Sequence, residues 1–311
     1  MVRGGCRARF HERLRILFFC AHPAIGPAAR TPLMLQPVLG LDAGRIASAF
    51  LTSPAAMSQR LLRARTRIRD AGIPFDVPDR AVWPERLTFV PDAIYAAFTS
   101  GWDALPDAGA APHDLALEAI WLARVLIYLV PDEPEALGLL ALLLHSESRH
   151  TTRQAVGEYI PLPDQDPSAW DAILADEAET LLHRGALYQT PVRFQLQAAI
   201  QSVHAARRYT GTTHWPAIAA LYETLLQHTG SLRARIGHAI ALSHGSGAGL
   251  AALDVIASHS LDHHQPWLAA RAHLLHQLGR TVPARAAWQY ALGLTTDPAV
   301  REYLLGKLTE A

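Results

Sequence analysis

Cysteine is scarce: Cys6 and Cys20 are the only two in 311 residues. Two thiols cannot build a disulfide framework, nor can they close a zinc site without a second pair, so reduced thiols in a cytoplasm are expected. Long apolar runs are missing as well. The longest clean one, Ala136 to Leu144, falls far short of the roughly 20 residues a membrane span needs. Ile16 to Ala21 is too short for the core of a secretory signal, although Arg3, Arg7 and Arg9 precede it. No membrane partner and no targeting signal are expected. Gly (20) and Pro (21) are near average, which excludes collagen-like and low-complexity chains. Charged residues make up 18% against 50% hydrophobic, which excludes disorder and leaves ample material for a buried core. Ala and Leu dominate where β-branched residues would fill a sheet, so the fold class is expected to be all-α.

Lysine is nearly absent too, with Lys307 the single example, and arginine is unevenly spread. Residues 1 to 70 hold twelve Arg against Glu12, Asp42 and Asp70, and the rest of the chain carries the compensating acid. A positive head on a neutral or acidic body predicts anion binding by the head, since clustered positive charge attracts phosphate by counterion release.

Within the head, Pro23 and Pro27 are expected to end a first helix, and Leu33 to Leu39 to start another. Asp42 can cap a short helix holding Ile46 and Ala47. Ser53 and Pro54 supply the N-cap and first-turn proline of a longer one. In that helix Met57, Leu61, Ala64 and Ile68 recur at helical spacing and form a buried stripe, leaving Ser58, Gln59, Arg60, Arg63 and Arg67 off it. A short helix, a tight turn and a longer helix with a basic outer face predict a helix-turn-helix. Gly72 closes the helix.

Four segments follow from the punctuation: a head over 1–72, a proline-bearing linker over 73–91, a middle helical domain over 92–210 and helical repeats over 211–311. Helices are expected over Asp92–Phe98, Asp114–Leu129, Pro134–His145, Trp170–His183 and Phe194–Tyr209, with a loop at Pro161–Pro167. Gly245 and Gly279, 34 residues apart, each precede a small-residue helix, and Leu278-Gly279-Arg280 followed by Ala284, Ala287 and Tyr290 predicts tetratricopeptide-like stacking.

Ordered blocks resemble a known family: Arg13-Leu14-Arg15, Cys20-Ala21-His22-Pro23-Ala24, Gly40-Leu41, Met57-Ser58-Gln59-Arg60-Leu61 and Ile73-Pro74-Phe75 resemble region 4 of extracytoplasmic-function (ECF) RNA polymerase sigma factors. Leu129-Val130-Pro131-Asp132-Glu133-Pro134-Glu135, Gly138-Leu139-Leu140, Gln195-Leu196-Gln197 and Trp215-Pro216 resemble the tetratricopeptide-like C-terminal extension of one subgroup. The resemblance implies a transcription regulator whose region 4 reads a promoter −35 element. Ser53, Ser58, Gln59, Arg60, Arg63, Arg65 and Arg67 would contact the duplex, Arg suiting guanine or phosphate and Gln suiting adenine. It also implies docking on the β flap of core RNA polymerase. Region 2 is not found before region 4, so a complete sigma factor is not expected and polymerase association should be weak.

A rival reading is a repurposed scaffold. Phe98-Thr99-Ser100-Gly101-Trp102 stands where the family usually carries Phe-Asn-Glu-Gly-Tyr, and Gly237-His238 where it carries Asn-Arg, while packing residues such as Leu139 and Ala198 persist. A ligand-binding or enzymatic site in the helical body, for a small molecule or peptide, would then draw on His145, Glu147, Tyr159, Trp170 and Gln195. No metal is expected: His145 and His150 do not share a helix face, and His263 and His264 are adjacent and point apart. No phosphate-binding loop, dinucleotide fingerprint or nucleophile elbow is present, so no cofactor is expected.

Overall fold

The computed structural model describes residues 16–310 apart from 17, 40–41, 50–51, 75, 77, 84, 86–87, 103–110, 156–157, 246, 257–260, 262–263 and 296. The described residues are helical except for a two-residue-per-strand antiparallel hairpin and irregular connections, which bears out the all-α class. The chain divides into two compact units, Met1–Asp132 and Glu133–Ala311. Among the described residues no helix is long and apolar enough to cross a membrane.

The first unit holds α1 (Pro27–Leu39), α2 (Ala43–Ala49), α3 (Pro54–Asp70), α4 (Val90–Trp102) and α5 (Ala111–Leu129). Helix α1 packs on α2, α3 and α4, and α4 pairs with α5. Its start corrects the expected one: Pro27 opens the helix, which then continues through Pro32 and Pro37. An interior proline costs about 3 kcal/mol. Burial of Leu33, Met34 and Leu35, each contributing about 1.5–3 kcal/mol, is of the size needed to offset two such prolines. Local sequence registers the proline but not the burial.

Helix α3 follows its sequence closely. The Ser53 Oγ accepts from the Ala56 N–H at 3.2 Å, Pro54 occupies the first turn, and Met57, Leu61, Ala64 and Ile68 are the buried residues. At the far end Gly72 takes φ +58°, its N–H donates to the Arg69 carbonyl at 3.1 Å, and the Ile73 N–H donates to the Ile68 carbonyl at 3.3 Å. This left-handed closure favours glycine. Ser53→Ala removes one side-chain acceptor at an exposed cap and is expected to cost about 1 kcal/mol, read as a shift in urea midpoint at unchanged slope. In the proline-bearing stretch that follows, the Trp83 indole N–H donates to the Pro78 carbonyl at 2.9 Å, and its ring lies 5.0 Å from Phe18.

The second unit holds α6 (Pro134–Ser148), β1 (Gln154–Ala155), β2 (Glu158–Tyr159), α7 (Ala172–Ala186), α8 (Arg193–Ala205), the single turn α9 (Arg207–Thr210), α10 (Trp215–His228), α11 (Leu232–Gly245), α12 (Gly249–Val255), α13 (Gln265–Gln277), α14 (Thr281–Leu294) and α15 (Pro298–Glu310). Gln154 pairs with Tyr159 across the hairpin. Helix α6 is buried on every side from Ala136 to Ser146 because α7 and α8 both pack against it, which explains its all-round apolarity. From α8 onward, neighbours in sequence are neighbours in space: α10 packs on α11, α11 on α12 and α13, α13 on α14, and α14 on α15. Between them lies a core of Leu253, Leu274, Leu275, Trp288 and Leu304. Gly279 takes φ +70° at the α13–α14 turn as its position predicts. In the preceding connection the positive φ falls on Gly247, with Gly245 ending α11. The Pro161–Pro167 loop contains two 3-10 turns, Leu162–Asp164 and Pro167–Ala169.

Candidate functional site

Two features carry chemistry, one in each unit. The first is the surface of α3. A 3.6-residue period puts Arg60, Arg63 and Arg67 on one flank of the buried stripe, and Ser58 and Arg65 on the other, with Gln59 outermost. The side chains follow that division. Arg60, Arg63 and Arg67 line a groove of about 610 Å³ whose opposite wall is Pro23 to Gly26 and the first turn of α1, at Ala28 and Ala29. Arg67 Nε donates to the Ala24 carbonyl at 3.3 Å. Arg30 braces the same wall, donating from Nε to Ile25 O at 2.8 Å and from Nη2 to Pro23 O at 3.1 Å. Arg65 turns to the other side and donates to the Gln36 side chain. Among the described residues no carboxylate pairs with Arg60, Arg63 or Arg67. Three guanidinium groups therefore face the positive end of the α1 dipole across one groove, which concentrates positive potential where a phosphate can sit.

The seven residues expected to contact a duplex thus do not form one face. Ser53 is engaged in capping, Ser58 and Gln59 are exposed, and the arginines separate into a groove set and Arg65. The backbone wall at 23–29 was missed from sequence, although Gly26-Pro27 is a helix-start signal. Arg3, Arg7, Arg9, Arg13 and Arg15, which supply much of the head's charge, lie outside the described residues, as do Cys6, His259 and His263. Cys20 is free and buried, and burial pushes its thiol up to about 12.

The second feature is a polar cluster at the C-terminal end of α6. His145 is 2% exposed, and its Nε2 lies 3.4 Å from Oε1 of Glu179 on α7. Burial, with help from Arg149 and Arg208, holds its pKa down at about 4, so at neutral pH a neutral imidazole meets the carboxylate and the contact is no ion pair. Two residues on, burial and the Asp171 carboxylate push Glu147 up to about 7. Arg149 Nη2 donates to Gln201 Oε1 at 3.1 Å. Trp170 is buried beneath the Arg207 guanidinium, 5.7 Å from its ring. Arg207 also donates to the carbonyls of Leu162, Pro163 and Gln165 at 2.7–3.0 Å, tying down the acidic loop. His145 Nδ1 and Trp170 Nε1 have no hydrogen-bond partner among the described residues. With its pKa pushed up to about 7, Glu147 is the carboxyl here that can take or give a proton near neutral pH.

His145 faces Glu179 of α7, whereas Glu147, two residues on and so on another side of α6, is shifted by Asp171, the chain neighbour of Trp170. Tyr159 meets the Tyr303 ring edge-on at 5.7 Å, so it faces α15. Gln195 is displaced: it packs against Gly138 of α6 and Gly185 of α7, and Gly138 stands two turns, about 10 Å, from His145 along α6. It is a helix-packing residue. Glu179, Arg149, Arg207 and Arg208 were missed because their roles depend on contacts across helices. Of the histidines weighed as ligands, His264 caps α13, its Nδ1 accepting from the Trp267 N–H at 3.2 Å.

Five perturbed histidines among the described residues, His145, His204, His244, His264 and His273, all shifted down by burial, give the second unit a pH signature. His145 and His204 both fall from 6.5 to about 4 on folding, so the unfolded chain binds more protons between those values. Stability from these groups is present above pH 6.5 and is lost as the pH falls toward 4. Glu147, raised from 4.5 to about 7, acts in the opposite sense and loses its contribution as the pH rises through that window. Five lowered histidines against the one raised carboxyl leave stability rising with pH between about 4.5 and 6.5. His145→Gln is expected to make that slope shallower without abolishing it, in urea titrations followed across the range.

The comparisons divide along the same line. Residues 86–186 match a family of unknown function (DUF6596), a span that includes His145, Glu147, Trp170 and Glu179 but not α3. No solved structure matches the chain. An uncharacterized protein of Rhizobium meliloti (strain 1021) is 37% identical over 294 residues, 94% of this chain and 69% of that protein. On identity at that level the chain belongs to the same family as the Rhizobium protein.

Proposed function

We propose that this protein is a sigma-factor-like, DNA-binding transcription regulator of the cytoplasm. Residues 1–72 would serve as a region 4-like helix-turn-helix head, and the helix pairs of residues 211–311 would stack as tetratricopeptide-like repeats forming a regulatory body. The observation that carries the reading is the surface of α3: a capped helix anchored by one apolar stripe, exposing Ser58 and Gln59, with Arg60, Arg63 and Arg67 along a cationic groove. The four residues between α2 and α3 match the short turn such motifs use. Side chains of the exposed face suit base edges, and the groove arginines suit the flanking phosphates. Core RNA polymerase, through its β flap, is the protein partner this reading implies.

The test is fluorescence anisotropy of the full chain with a labelled duplex carrying a −35-like sequence rich in AAC, repeated over a salt series. Saturable binding whose log K falls linearly with log salt is expected. No binding to any duplex at low salt would sink the reading.

A second reading has its own support. His145 and Trp170 each bury an unpartnered polar atom, and Glu147 is pushed up to about 7, features that a ligand-binding or proton-transfer site in the body would use. His145→Gln separates the two: DNA affinity should be unchanged under the first reading, whereas a body-centred activity would be lost.

A further inference from the structure

The other flank of α3 borders a cavity that DNA binding does not use. It measures about 390 Å³ and is lined by Ile16, Phe19, Cys20, Leu33, Gln36, Arg65 and Ile68. Its walls come from the helical stretch ending at Cys20, from α1 and from α3, and they are almost wholly apolar. The one sulfur donates to the Leu33 carbonyl at 3.7 Å and, held near a pKa of 12, stays a neutral thiol. Among the described residues no acid lines the cavity. The one formal charge among its described lining residues is the Arg65 guanidinium at the exposed end, whose partner, Gln36, is a neutral amide.

We propose that this cavity binds a compact apolar acid: an aliphatic or aryl body of on the order of ten heavy atoms in the pocket, and one carboxylate on Arg65 and the Gln36 amide. The size decides against larger ligands, since 390 Å³ lies at the small end of ligand pockets and cannot hold a dinucleotide. Polarity decides the body, because burying a polar group against Ile16, Phe19, Leu33 and Ile68 would leave it without a hydrogen-bond partner. Charge decides the head group: guanidinium presents a planar pair of donors that matches a carboxylate, and none of the described lining residues is an anion. A neutral body of the same shape would keep the apolar contacts and lose the charged one.

The test uses octanoate, with octan-1-ol as its uncharged counterpart, titrated calorimetrically into the full chain. Octanoate is expected to bind saturably at one site with a Kd on the order of 10⁻⁴ M, and octanol about tenfold more weakly. Arg65→Gln, at an exposed position, should bring octanoate down to the octanol level and leave octanol unchanged. Ile16→Trp, which fills the cavity from its half-buried edge, should block both. Equal octanoate affinity in the wild type and Arg65→Gln, or no saturable binding up to about 10 mM, would overturn the proposal.

Discussion

Replacing Arg60, Arg63 and Arg67 together by alanine is expected to weaken duplex binding by about 10²–10³-fold near 0.1 M salt, and to lower the salt slope by roughly three. Each arginine that neutralises a phosphate releases about one counterion, so three lost contacts remove about three units from the dependence of log K on log salt. The geometry predicts that they act as a set, because all three line one groove against the first turn of α1. Arg69, on the same helix, lies 3.8 Å from the Asp70 carboxylate and is exposed, so Arg69→Ala should cost far less. None of the three supports the buried stripe of α3, and the fold should survive their removal. A triple variant that keeps full affinity and an unchanged slope would show that the groove does not carry DNA.

Gly138→Val should prevent the second unit from folding. A Cβ at this position would lie 2.4 Å from the Gln195 backbone nitrogen, 2.6 Å from its Cα and 2.8 Å from the Phe194 carbonyl carbon. Those are backbone atoms, and they cannot swing aside as a side-chain tip would. Nor can α8 retreat: its Phe194 N–H donates to Glu135 Oε2 at 2.9 Å, and Arg193 lies 3.8 Å from the same carboxylate, so α6 holds the start of α8 at two points. Even Gly138→Ala is expected to cost about 3 kcal/mol or more, and valine exceeds the stability of an ordinary domain. Gly293 in α14 is the internal comparison. A Cβ there meets nothing within 4 Å, and Gly293→Ala should stabilise by up to about 1 kcal/mol through lower chain entropy. Circular dichroism and urea midpoints of the two alanine variants read both signs, and equal midpoints would contradict the close approach of α6 and α8.

The contrast between these glycines shows how far sequence reading reaches. Both sit inside helices and look alike in one dimension; only the position of α8 makes Gly138 irreplaceable. The same holds for the polar cluster. His145, Glu147 and Trp170 could be singled out by residue type, but their partners across the fold, Glu179, Asp171 and Arg207, could not. Gln195 could not be placed, because its distance from His145 depends on where α8 crosses α6.

What the sequence determined by itself is local. The all-α class follows from its Ala- and Leu-rich composition, and the cap at Ser53, the stripe of Met57, Leu61, Ala64 and Ile68, and the left-handed closures at Gly72 and Gly279 all follow from interactions between residues a turn apart. Tertiary structure decided the rest. It carried α1 through Pro32, split the α3 arginines between a groove and Gln36, set Glu179 against His145 and drew Arg207 onto three carbonyls more than forty residues away. The physical reason is range: helical periodicity tells which face of an element is buried, whereas the partner that buries it is chosen by packing between elements far apart in the chain.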